Sequence, residues 1–150
     1  MTADTEVDSP LFTITRSINA NVVHYDLRLD SHLNIIVSKP IDVYWLMNAE
    51  NGQREELTWF EKNNAYGFSL EGDPTSTSLI MKIQAFPKRK IDVTIHDKVP
   101  RAEILINGTR QIIQNVFVTL NGGLFPSVKS IELIGKDTVT GEPVKERIEF

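Results

Sequence analysis

Ile41–Gly67, IDVYWLMNAENGQREELTWFEKNNAYG, decides the fold class of this chain, because its hydrophobic period changes halfway along. Ile41, Val43, Trp45 and Met47 alternate with Asp42, Tyr44 and Leu46, the period-two pattern of a strand with one buried face. A Gly turn and a charged run, Arg54-Glu55-Glu56, follow. Thr58 then precedes Glu61 by three residues, the spacing at which hydroxyl and carboxylate cap each other's backbone N–H groups. This predicts one short helix from Trp59 to about Tyr66, ending at Gly67, a residue tolerant of positive φ. So short a helix does not persist alone in water, so Trp59, Phe60 or Tyr66 is expected to hold it against a sheet.

Outward from this stretch the period is two nearly everywhere. Val23, Tyr25, Leu27 and Leu29 alternate with His24, Asp26 and Arg28. Leu79, Met81, Ile83 and Ala85 repeat the pattern, and Ile91, Val93 and Ile95 do so against Asp92, Thr94 and His96. Asn107-Gly108 sits between Ala102–Ile106 and a run ending Val116–Leu120, the signal for a two-residue hairpin turn with positive φ. Two further strands, near Val128–Ile134 and Val144–Phe150, flank a loop containing Thr140-Gly141. The expectation is an all-β, mainly antiparallel fold: a barrel-like or sandwich sheet of about eight to ten strands with one capping helix near residues 59–66.

Length and composition bound the rest. The chain's 150 residues suit one β domain over 11–150, preceded by a flexible acidic segment, MTADTEVDSP, over 1–10. That start carries no signal peptide, so the chain reads as cytoplasmic as it stands, or as exported if its N-terminus has been trimmed. A net charge of -4 is the wrong sign for a nucleic-acid footprint, and no apolar run reaches transmembrane length. With no cysteine there is no disulfide, thiolate nucleophile or thiolate-held metal.

The order and spacing of several short motifs carry a resemblance. They are Tyr25-Asp26-Leu27, Val43-Tyr44-Trp45, Arg54-Glu55-Glu56-Leu57, Ala65-Tyr66-Gly67, Asn121-Gly122-Gly123, Thr140-Gly141 and Glu146-Arg147. The chain resembles a bacterial family known as domain-of-unknown-function family 4833, over about Leu11 to Ile148. The resemblance implies a fold and a bacterial origin, and it brings no activity with it. Some members of that family resemble exported proteins, a pattern from which this chain's first ten residues depart.

Candidate chemistry is sparse, and each candidate has a structural counter-reading. Arg54, Glu55, Glu56 and Glu61 gather at the start of the helix, where an arginine and a carboxylate can orient a polar ligand; Glu61 is equally accounted for as a capping acid. Glu146 faces inward if Val144, Ile148 and Phe150 do, and then needs a basic partner such as Arg16 or Arg54. His24, His32 and His96 lie on separate segments without metal-ligand spacing, so no metal site and no cofactor is implied. Asn121-Gly122-Gly123 offers backbone donors to an anion but lacks the Lys-Ser/Thr of a phosphate loop, and reads as a connection. Lys88-Arg89-Lys90 is a compact basic turn. Aromatic residues from Tyr25 to Phe68, including Tyr44, Trp59 and Tyr66, concentrate where the helix would cap a barrel mouth.

The reading favoured by these residues is a non-catalytic module that binds a small molecule or a protein at the helix-capped end. Its contact residues would be Arg54, Glu55, Glu61, Tyr66, Tyr44, Trp59, Asn121 and Glu146. Two alternatives stand beside it. One is a hydrolase or isomerase using two carboxylates among Glu55, Glu56, Glu61 and Glu146, and the other is a structural subunit that forms a homodimer.

Overall fold

The structure, a computed structural model, describes residues 6–121 and 127–150. Strands β1 (Val7–Arg16) and β2 (Asn19–Leu29) form a long hairpin, extended by β3 (Ile41–Leu46) and the three-residue β4 (Arg54–Glu56). Helix α1 (Trp59–Asn64) leads to the equally short β5 (Phe68–Leu70), then β6 (Ser78–Ile83), β7 (Ile91–His96) and β8 (Val99–Ile106). The chain finishes with β9 (Thr109–Leu120), β10 (Val128–Lys136) and β11 (Pro143–Glu149). All pair in one mixed sheet curled into a half-barrel, antiparallel except where β1 lies parallel to β9.

β9 organises this sheet because it has three neighbours. Its first residues pair with β8 and its later ones, Asn115–Val118, with β1, while β10 runs along its other edge. Two wings therefore hang from β9: β1 to β4 on one side, β8 back to β5 on the other. Asn115 locks the junction, donating to the Thr13 carbonyl and hydroxyl at 3.2 and 2.9 Å and accepting from the Thr15 hydroxyl at 3.2 Å. Opposite it the β9–β10 register slips at Gly135, where any Cβ would sit 2.0 Å from the Ile112 carbonyl oxygen.

The alternating residues form the core as their period dictates: Val23, Tyr25, Leu27, Ile41, Trp45, Met81, Ile83, Ile91 and Val93 are all buried on the inner face. The alternation ends sooner than expected after Ile83, because the chain turns and inserts Phe86 into the core, leaving Ala85 exposed. Asn107-Gly108 makes the expected turn with φ of 53° and 80°, and Asp97-Lys98 makes a second one with 49° and 65°. The first strand begins at Val7, within the acidic start expected to be flexible. There Val7–Pro10 pair with Leu29–Asp26, and the Glu6 and Asp8 carboxylates meet Arg28.

The helix is shorter than its pattern suggests and ends differently. Thr58 and Glu61 form the full capping box, at 3.2 Å (Glu61 N–H to Thr58 Oγ1) and 2.8 Å (Thr58 N–H to Glu61 Oε1). At the other end the N–H groups of Ala65, Tyr66 and Gly67 converge on the Glu61 carbonyl at 3.2, 3.0 and 3.2 Å. Gly67 is not in the left-handed region; it is required because a Cβ there would fall 1.4 Å from the Lys62 carbonyl oxygen. Trp59 does not pin the helix, being 77% exposed. Tyr66 and Glu61 do so instead.

Candidate functional site

The opening between the wings lies between β4 and β5, which stand at opposite ends of the strand order and do not pair with each other, and α1 connects the two wings. Trp45 on β3 is the anchor. Its indole Nε1–H donates to Glu61 Oε2 at 3.2 Å, and the Tyr66 ring meets it edge-on at 5.2 Å. From β2 the buried Tyr25 hydroxyl donates to the Tyr66 backbone carbonyl at 2.7 Å. The helix is thus tied from the inside by three aromatic side chains, and burial, the largest influence on both phenols, raises the pKa of Tyr25 and of Tyr66.

Two clefts flank these ties. One cleft, of about 340 Å³, has an apolar floor of Ile41, Val43, Leu57 and Phe68 beside Tyr66. Its charged rim is Lys39, Asp42, Glu56 and Lys62. The other, about 240 Å³, lies against Trp45 and Met47 and is polar, lined also by Arg16, Asn21, Glu55 and Glu61. The Arg16 guanidinium stands 4.6 Å over the Trp45 ring, hydrogen-bonds Asn19 at 3.1 Å, and has no carboxylate within ion-pair distance among the described residues.

The outer face of β2–β4 carries a stacked ladder. Tyr44 lies parallel to His24 at 5.4 Å, and the Arg54 guanidinium covers the Tyr44 ring at 4.0 Å. Arg54 bridges Asp42 at 3.0 Å and Glu56 at 2.9 Å. The Tyr44 hydroxyl donates to Asp26 Oδ2 at 2.7 Å, and burial together with that carboxylate pushes the phenol up to about 12. Burial also raises Asp26 and lowers His24. Asp26 is 5% exposed and its second oxygen has no partner among the described residues.

The residues singled out from the sequence fall into separate places. Glu55 and Glu61 line the polar cleft and Tyr66 the apolar one. Tyr44 and Arg54 belong to the outer ladder, and Trp59 points to solvent on α1. Asn121 lies at the end of β9, its amide donating to the Ser127 hydroxyl at 3.1 Å; Gly122 to Pro126 lie outside the described residues. Glu146 does face inward with Val144 and Ile148, although Phe150 is 68% exposed. Its partner is Arg89 of the basic turn, bidentate at 2.9 and 2.8 Å, with the Asn107 N–H at 2.6 Å; these hold the carboxylate down to about 2.

Lys39 and Lys62 carry charge into the apolar cleft and were not among the candidates, and Arg16, expected as a partner for Glu146, lines the polar cleft instead, because no motif marks a lysine or arginine that acquires its setting only through strand pairing. Among the described residues no cluster of three His, Asp or Glu side chains is arranged to hold a metal ion, and no helix is long and apolar enough to cross a membrane. In comparisons with known proteins, a family model described as Domain of unknown function (DUF4833) matches residues 12–147. No curated protein and no solved structure matches the chain.

Proposed function

We propose, for a chain that belongs to the DUF4833 family, a non-catalytic role in which the helix-capped end of the half-barrel binds a small molecule. The observation that carries this reading is the cleft of about 340 Å³ between β3, β4 and α1, which combines an apolar floor with a few charged rim groups. Ligand cavities have that character and begin near this size, roughly 300 Å³. The carboxylate-catalysis alternative loses its pair: Glu61 is held by Thr58 and Trp45, Glu56 by Arg54, and Glu146 by Arg89 and Asn107. Of these four carboxylates Glu55 alone makes no side-chain hydrogen bond or ion pair among the described residues, and carboxylate acid–base chemistry calls on two such groups with separated roles.

Native mass spectrometry of the intact protein, compared with its denatured mass, tests the proposal. We expect retained mass that is lost on denaturation, and also lost in Val43→Phe, which fills the cleft floor. A protein that arrives bare, and whose uptake of an apolar reporter dye is the same with and without that substitution, overturns it. The neighbouring exposed pair Trp59 and Phe60 favours a second reading, in which α1 presents its aromatic face to a protein partner.

A further inference from the structure

The four charges on the rim of the apolar cleft are not equivalent. Asp42 and Glu56 are both already engaged by one guanidinium, that of Arg54, at 3.0 and 2.9 Å. Lys39, from the β2–β3 connection, and Lys62, from α1, make no ion pair and no side-chain hydrogen bond among the described residues. Lys90 and Lys145, by contrast, stand against Glu71 and Glu132. In a chain with twenty acidic and sixteen basic residues, two unengaged ammonium groups at one cleft mouth leave a local surplus of positive charge. The polar cleft across Trp45 has the opposite balance, with Glu55 and Glu61 facing the single Arg16.

We propose that the apolar cleft takes an amphiphilic anion: an alkyl or aryl body laid on Ile41, Val43, Leu57 and Phe68, with a carboxylate or similarly charged head between Lys39 and Lys62. This rests on the small-molecule reading above and names the ligand class for the same site. The division of labour is physical. Burial of the apolar body supplies most of the affinity, in proportion to the area taken from water. The two exposed ammonium groups contribute less, because solvent and salt screen them, but they decide the sign of the head group. Arg54 acts at one remove, since by occupying Asp42 and Glu56 it keeps the rim from being negative.

Three probes with one tail and three heads test this: decanoate, decanol and decyltrimethylammonium, titrated into the isotope-labelled full chain and followed by amide chemical shifts. Decanoate should shift Val43, Leu57 and Phe68 and bind about tenfold tighter than decanol at low salt, an advantage that shrinks as salt is raised. In the Lys39→Gln/Lys62→Gln double variant decanoate should fall to the level of decanol. Arg54→Gln, which leaves the floor intact, should weaken decanoate and improve the cation. If the cation binds as well as decanoate, or decanoate keeps its advantage in the double variant, the anion assignment is overturned while the cleft stands. If none of the three shifts the cleft amides, the cleft itself is not the site and both readings fall.

Discussion

Glu146 and Glu61 are both glutamates that fasten a peripheral element to the sheet, yet the regions they fasten are built in opposite ways. Around Glu146 the backbone ladder is already continuous: β11 pairs with β10 over seven residue pairs and β10 with β9. The bidentate Arg89 contact adds to it by joining β11 to the turn before β7. Around Glu61 there is no ladder to add to, because β4 and β5 are three residues each and do not pair with one another. There one carboxylate must both cap α1 and accept from Trp45. Where strands close the sheet, the backbone ladder carries the join; where side chains close it, a cleft remains on each side of the tie.

The largest expected contrast is between two glycines. Gly135→Ala places a Cβ 2.0 Å from a carbonyl inside the β9–β10 ladder, where neither strand can move without breaking pairs with its other neighbour. A loss of about 3 kcal/mol is expected, or a drop in Tm of roughly 6–12 °C. Gly67→Ala makes a closer clash, at 1.4 Å, but against a short helix end that can shift outward. Its cost should be roughly half as large and confined to α1, read as faster amide exchange at Glu61 to Tyr66 with β9 unaffected. Equal losses of Tm in the two variants would break the distinction between a ladder-closed and a side-chain-closed region.

The next effect belongs to Glu146. Its carboxyl is held from an ordinary 4.5 down to about 2, first by Arg89 and then by the Asn107 N–H. A depressed carboxylate pKa contributes stability that is present above about 4.5 and disappears as the pH falls through about 2. Glu146→Gln should therefore cost about 1–2 kcal/mol at neutral pH, discounted for the one-fifth exposure of the side chain, and cost less as the pH falls from 4.5 toward 2. Parallel thermal melts from neutral to acid pH check this: curves that stay a constant distance apart would mean the pair contributes shape rather than charge. On the other side, Thr58→Ala removes a cap and should cost about 1 kcal/mol, again seen at α1 rather than in β9.

What could be read from the sequence was what neighbours in the chain decide. Period two placed Val23, Tyr25 and Leu27 inward, Asn107-Gly108 announced its own turn, and Thr58 with Glu61 announced the cap, since each signal lies within a few residues. The inward direction of Glu146 follows from the same parity. Its partner does not, because Arg89 is 57 residues away and only the curl of the sheet brings them together. Lys39 and Lys62 were invisible for that reason, and so was the role of Gly67, which depends on the path of the helix and not on its own φ. Of the three aromatics expected to hold the helix, Tyr66 is tied to Trp45 and Tyr25 while Trp59 is exposed, a choice the sequence left open because six residues give under two turns, too few for a periodic signal.

Trp59 supplies the smallest expected effect and the sharpest test of which face of α1 is structural. Its side chain is 77% exposed, so truncation removes little area from the folded state that the unfolded chain does not also expose. Trp59→Ala should shift stability by no more than about 0.5 kcal/mol, and binding of an amphiphile in the cleft should be unchanged, since Lys62 and Tyr66 line the cleft and Trp59 does not. If Tm falls by several degrees in a monomer, the indole is holding α1 after all and the tie through Trp45 and Tyr66 is secondary. If Tm holds but a partner protein is lost, the helix has two working faces, an inner one that shapes the cleft and an outer one that docks.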